Sequence, residues 1–191
     1  RAGETLRIFG DFGLGQTALV QALAGLWPHG RGAIIRSPGG VCILTAHPHI
    51  TPQTTLRALS SAGDLPDEAL RQRFARYGLA TFASRLDEVA DWEKRLPSSD
   101  RMRLGFVRAE AADADLFVLF EATQTVEPAA AQALIERLRQ AKPDAGFLLI
   151  GRGPGFAEAA DRIVRARIAG GVARLGVSEP ATIHDPASHL N

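Results

Sequence analysis

Thr5-Leu6-Arg7-Ile8-Phe9-Gly10-Asp11-Phe12-Gly13-Leu14-Gly15-Gln16-Thr17-Ala18-Leu19-Val20-Gln21-Ala22-Leu23-Ala24-Gly25-Leu26-Trp27-Pro28 is the stretch that decides the fold. The apolar run Leu6 to Phe9 suits a short buried strand. A glycine-rich turn, Gly10 to Gly15, follows it. From Thr17 to Leu26, Leu19, Leu23 and Leu26 recur at helical spacing, with Ala22 between them. In a strand, glycine turn and helix of this kind, backbone N–H groups converge on one anion, and the helix N-terminus adds the positive end of its dipole. The phosphate-loop pattern asks for Gly, four residues, then Gly-Lys-Ser/Thr. Gly10, Gly15 and Thr17 keep that spacing, and Gln16 stands where the pattern has lysine. Glutamine donates hydrogen bonds but carries no charge, and bonds to charged groups are the stronger class. The candidate cradle is therefore Gly10, Gly13, Leu14, Gly15, Gln16, Thr17 and Ala18, without its main cation.

Composition narrows the rest. At 191 residues and 46% hydrophobic content the chain is one domain with an ample core, with room for a small inserted lobe. A net charge of +1 gives no argument for a nucleic-acid surface. Cys42 is the one cysteine, so no disulfide can form within the chain, and a reducing compartment is expected. No apolar run approaches the length of a membrane-spanning helix, and no signal-peptide pattern is seen. The chain enters a strand almost at its first residue, which predicts a piece of something longer.

Leu23-Ala24-Gly25-Leu26-Trp27-Pro28, followed by Gly30-Arg31-Gly32, resembles the segment after the phosphate loop in the nucleotide-binding domains of ATP-binding cassette (ABC) transporters. It is most similar to the branch of the SbmA/BacA-like peptide-uptake proteins and the peroxisomal fatty-acid transporters. Downstream segments extend the resemblance in order. Val41 to Leu44 reads as a second buried strand, and Thr55-Leu56-Arg57 matches the family's helix opening. Between them the family's metal-contacting glutamine falls on Ala46, which cannot ligate; Gln53 lies on the wrong side of the turn to replace it. His47 and His49 lack a cysteine or carboxylate at ligand spacing and read as polar loop residues.

Asp67 to Leu79 has a helical pattern through Leu70, Phe74 and Leu79, and Phe82 to Ala90 continues in that style. The resemblance makes this the inserted helical lobe that meets a transmembrane partner. Trp92, Leu96, Arg103, Leu104, Phe106 and Arg108 keep the frame of the family's signature segment, whose glycines are replaced in Pro97-Ser98-Ser99-Asp100. Side chains at Ser98 and Ser99 crowd the approach to a nucleotide held by an opposite subunit, while a serine hydroxyl is expected to cap the following helix.

Asp115 to Phe120 reads as the strand before the family's Asp-Glu-Ala-Thr. The magnesium aspartate falls on Phe120; Glu121, Ala122 and Thr123 remain, and the aspartate that ends the following loop becomes Glu127. Ala129 to Gln140 is an amphipathic helix, and Gly146 to Ile150 another buried strand. Arg152 then occupies the switch-histidine position or that of the arginine after it, and a solvated arginine at a strand end fits as well. Val172 to Leu175 forms a hairpin with the strand after Asp161, across Gly170-Gly171. Ser178 to Asn191 reads as a loose tail.

The resemblance implies an α/β P-loop NTPase core, a mostly parallel sheet flanked by helices, with an inserted α-helical lobe. The domain is 1–177, its core 1–50 and 110–177, its lobe about 51–109, its tail 178–191. Its cofactor is ATP. Mg²⁺ is left with Thr17 as candidate ligand, because Ala46 and Phe120 offer none. Candidate catalytic residues are Glu121 and Arg152; Ser98, Ser99 and Asp100 stand at the signature position, across a dimer. Partners are a transmembrane domain, fused or separate, and a second nucleotide-binding domain, like or unlike; nucleic acid is not among them. The expected location is the cytoplasmic face of a membrane, a bacterial inner membrane first. Because phosphoryl transfer rests on positioning and charge stabilisation, the expectation is a degenerate domain with weak or absent hydrolysis. An active ATPase using composite sites with a better-preserved partner, and a scaffold indifferent to nucleotide, are the alternatives.

Overall fold

A computed structural model describes residues 3–10, 15–29, 31–35, 38–61, 63, 65–169, 172–176 and 179–180. The strands are β1 (Thr5–Gly10), β2 (Val41–Thr45), β3 (Leu116–Phe120), β4 (Gly146–Ile150), β5 (Arg162–Ala169), β6 (Val172–Leu175) and β7 (Glu179–Pro180). They form one sheet in the order β2-β3-β4-β1-β5-β6, with β7 beside β5. The first five are parallel, and β6 and β7 run antiparallel to β5. The helices are α1 (Gln16–Leu23), α2 (Leu56–Leu59), α3 (Asp67–Arg76), α4 (Trp92–Arg95), α5 (Ser98–Ala111), α6 (Pro128–Ala141) and α7 (Phe156–Ala159).

Parallel strands covered on both faces are apolar almost throughout, and β3 (Leu-Phe-Val-Leu-Phe) and β4 (Gly-Phe-Leu-Leu-Ile) have that composition. Alternate side chains divide between two cores. Ile8, Val118, Leu148, Ile150 and Val164 pack with Val20 of α1 on one face. Phe117, Leu119, Phe147 and Leu149 join Leu134, Leu138, Phe106 and the lobe residues on the other. The second core is continuous from the sheet into the lobe, where Leu70, Phe74, Tyr77, Leu86, Trp92 and Leu96 are buried. Tyr77 stacks on Phe106 at 6.1 Å, and Phe82 meets Trp92 edge-on at 6.2 Å.

Four stretches differ from the sequence reading. The first helix stops at Leu23, three residues before Leu26. Gly25, at φ 75°, reverses the chain, so its N–H bonds the Ala22 carbonyl and that of Leu26 bonds the Gln21 carbonyl. The same closure at Gly78 ends α3 at Arg76. Phe82 to Ala90 is not helical beyond a 3₁₀ turn at Ala80–Phe82. Its polar backbone groups go elsewhere: the Leu86 carbonyl accepts from the Arg57 N–H, Ala90 pairs with Thr54, and the Glu88 carbonyl accepts from the Trp92 indole. Within the stretch read as a loose tail, Glu179 and Pro180 pair with Ile163 and Arg162. No helix among the described residues is long and apolar enough to cross a membrane.

Candidate functional site

Register brings the chemistry-bearing positions to one edge. Ile8 and Phe120 both pair with Ile150, and Thr45 pairs with Phe120. The carboxyl ends of β1, β2, β3 and β4 therefore present Gly10, Ala46, Glu121 and Gly151 along the same side of the sheet, where open α/β folds bind ligands.

Gly15 caps α1 with φ 73°, and no side chain caps that helix. The first intrahelical N–H, that of Leu19, bonds the Gly15 carbonyl at 2.9 Å. The N–H groups of Gln16, Thr17 and Ala18 precede it and have no backbone acceptor among the described residues, as suits an anion site. Thr17 is exposed, and Gln16 and Ala18 are half-buried. Gly13 and Leu14 lie outside the described residues. These groups fit a phosphate.

They do not fit a divalent cation. Ala46 offers only a methyl group, and Phe120 packs against the apolar cluster beneath α1 rather than presenting an oxygen. Gln53, exposed, sits at φ 51° just before the Thr54–Ala90 pair of the lobe. Among the described residues no group of three His, Cys, Asp or Glu side chains is gathered as for a metal. His47 and His49 are exposed, and the carbonyl of His49 accepts from Arg108 at 2.8 Å.

The signature-position segment opens α5. The expected serine cap is not formed: Pro97 holds the capping position without a side-chain bond, so Ser98 is already the first helical residue. The Ser98 hydroxyl accepts instead from Arg101 Nη2 at 3.0 Å. Asp100 lies in the first turn; burial pushes its carboxyl above the ordinary range, against the opposing pull of Arg103.

Glu121 has left-handed backbone, φ 51°. Both its carboxylate oxygens accept from the backbone N–H of Arg152 at 3.1 Å, and Oε2 also accepts from Gln124 Nε2 at 2.9 Å. Arg152 itself is exposed. Beside it, the buried Thr123 hydroxyl donates to the Pro154 carbonyl at 2.7 Å. Sequence reasoning missed Gln124 and Gly151; the glycine ahead of Arg152 was the available signal. It also missed a pocket of about 370 Å³ between β2, α5 and the loop after β2, bordered by Cys42, Leu44, Pro48, His49, Met102 and Arg108. Burial raises the Cys42 thiol above its usual range.

Sheet order, the left-handed Gly15 that opens α1 and the shared edge define the α/β fold of a P-loop NTPase. The RNase-L Inhibitor structure superposes with a TM-score of 0.72 over 94% of this chain and 35% of its own, at 19% identity. No family model matches the chain. The phosphonates import ATP-binding protein PhnC 2 of Albidiferax ferrireducens is 29% identical over 175 residues, covering 78% of this chain and 63% of that protein. The inner membrane ABC transporter ATP-binding protein YddA of Escherichia coli is 27% identical, over 84% of this chain and 29% of its own length. The human lysosomal cobalamin transporter ABCD4 is 29% identical, over 65% of this chain and 23% of its own length. The chain thus spans less than two thirds of the length of these curated relatives. The chain is similar in sequence to ATP-binding proteins of transporters, and it shares the fold of the solved neighbour.

Proposed function

We propose that this chain is the ATP-binding domain of a transporter, coupled to a transmembrane partner, and that it hydrolyses ATP weakly or not at all. The observation that carries the second half is the pairing of Gln16 at the start of α1 with Phe120 at the end of β3. The first removes the loop cation, and the second fills a metal-ligand position with a ring packed under α1. Ala46 and the glycine-free Pro97-Ser98-Ser99-Asp100 segment point the same way.

ATP is held through its phosphates by the N–H groups at the start of α1, with Gln16 and Thr17 as side-chain donors. Ser98, Ser99 and Asp100 face the nucleotide of a second nucleotide-binding domain, like or unlike. Arg152 at the switch position supplies a cation beside the phosphates. The core 1–50 and 110–177 carries these elements, and the lobe, about 51–109, is the part that meets the membrane partner. The pocket between β2 and α5 supports that reading, because it opens where the lobe joins the sheet. The relatives' names supply the setting: ATP-binding proteins of transporters, one of them at an inner membrane. The cytoplasmic face of a bacterial inner membrane is the corresponding place for this chain. The relatives' names specify different cargoes, phosphonates and cobalamin, so they favour none for this chain.

Steady-state ATP hydrolysis by the purified chain with Mg²⁺ tests the proposal. The expected rate is at least about 100-fold below that of a domain with intact lysine and aspartate, since losing even one charge-stabilising group costs on the order of 10²–10³. A rate equal to that of such a domain contradicts it.

A further inference from the structure

Glu121 survives at an edge where its chemical neighbours have changed, and its surroundings give a reason. Its carboxylate is already engaged. Both oxygens take the Arg152 backbone N–H at 3.1 Å, and Oε2 takes the Gln124 amide at 2.9 Å. Its own N–H donates to the Ile150 carbonyl at 3.1 Å, tying the end of β3 to β4 a second time. Between the two ties lies Gly151, at φ 113°, whose N–H donates to the Ile8 carbonyl of β1 at 3.1 Å. A Cβ at position 151 would overlap the Glu121 carboxylate group. The carboxylate thus lies directly against the backbone of residue 151, and only glycine leaves room for it. A left-handed φ at a non-glycine residue is held in place only where surrounding contacts require it.

We propose that Glu121 is a positioning residue, a clasp that fastens the end of β3 to the turn after β4 and fixes the backbone of Arg152, instead of a base that activates water. A general base must offer an oxygen to the proton it takes, and here the three contacts hold the carboxylate against the turn after β4 and occupy part of its acceptor capacity. Charge-assisted bonds from backbone N–H to carboxylate are strong. The clasp needs a carboxylate at 121, a glycine at 151 and an N–H at 152; it needs neither the loop lysine nor the metal aspartate. That separates the persistence of Glu121 from the loss of its neighbours. The clasp itself stands on geometry; only its bearing on hydrolysis rests on the function proposed above.

The test is amide hydrogen exchange resolved at Gly151 to Gly153 in the full chain, for the native protein, Glu121→Ala, Glu121→Gln and Gln124→Ala, with the exposed Glu127→Ala as control. Glu121→Ala is expected to speed exchange at Arg152 roughly tenfold or more, the scale of losing a hydrogen bond to a charged group. Glu121→Gln keeps one acceptor oxygen and should recover part of the protection. Gln124→Ala should have a smaller effect, and Glu127→Ala none. Native exchange in Glu121→Gln and Gln124→Ala, which remain readable should the alanine variant fail to fold, would overturn the clasp. Hydrolysis measured alongside keeps the two claims apart. Rapid native turnover contradicts the proposed function and leaves the exchange result standing. Turnover that Glu121→Gln abolishes while exchange stays native overturns the clasp and restores the base.

Discussion

The helical lobe and the ligand-facing edge of the sheet are built by different rules. In the lobe, the apolar residues fill space. Trp92 and Phe106 are fully buried, Leu96 and Leu104 almost so, and arginine–carboxylate pairs such as Arg73–Glu110 and Arg57–Asp87 tie its elements together. At the edge, the function proposed above turns on side chains whose value lies in charge or ligation, and Gln16, Ala46 and Phe120 supply neither. Packing constrains every methylene of the first region. Nothing in packing demands a lysine in the phosphate loop. Fold and proposed chemistry are therefore carried by different side chains.

Several substitutions can break or sharpen that contrast. The largest effect is expected from Trp92→Ala, which empties a buried site whose indole also bonds the Glu88 carbonyl at 3.2 Å. It should cost about 3–5 kcal/mol in urea unfolding, and the lobe and sheet should unfold together, since one core runs through both. Separate transitions would show the two regions to be independent. Thr123→Val comes next. Removing the hydroxyl leaves the Pro154 carbonyl without its donor, at a cost of about 1–3 kcal/mol by the same measurement.

Gln16→Lys should shift stability by less than about 0.5 kcal/mol while raising affinity for ATP. A site that changes ligand affinity without changing stability is what the contrast requires. The smallest effect concerns Glu88. Hydrogen bonds from Arg85 lower its carboxyl, helped by Arg95 and opposed by burial, from an ordinary 4.5 to about 2. Such a group contributes stability at pH values above the ordinary range and loses it as pH falls towards 2. The difference in unfolding midpoint between the native chain and Glu88→Gln should be present at pH 6 and shrink steadily through that acid window. A difference that grows on acidification would reverse the assignment.

Most of the sheet was legible in sequence, because strands covered on both faces leave a plain signature, as Leu116 to Phe120 and Gly146 to Ile150 do. The start of α1 after Gly15 was also legible from a local signal. What escaped depended on partners distant in sequence. Phe82 to Ala90 has a helical pattern, but Arg57 and Thr54 claim its backbone groups. The serine cap was a local expectation overridden by Pro97, which places Ser98 inside the helix. The clasp at Glu121 joins residues 31 positions apart, and its glycine is ordinary until the carboxylate is seen against it. Residue identities at the ligand-facing edge were visible, but only register showed that Gly10, Ala46, Glu121 and Gly151 share it.

Titration calorimetry with ATP, with and without Mg²⁺, on the native chain and on Gln16→Lys/Phe120→Asp, tests the central claim most directly. The account predicts weak binding by the native chain that magnesium does not strengthen, and a magnesium-dependent gain of tenfold or more in the double variant, the scale of one charge-assisted contact regained, about 1.5–3 kcal/mol. Tight, magnesium-dependent binding by the native chain, unimproved by the two substitutions, would contradict it.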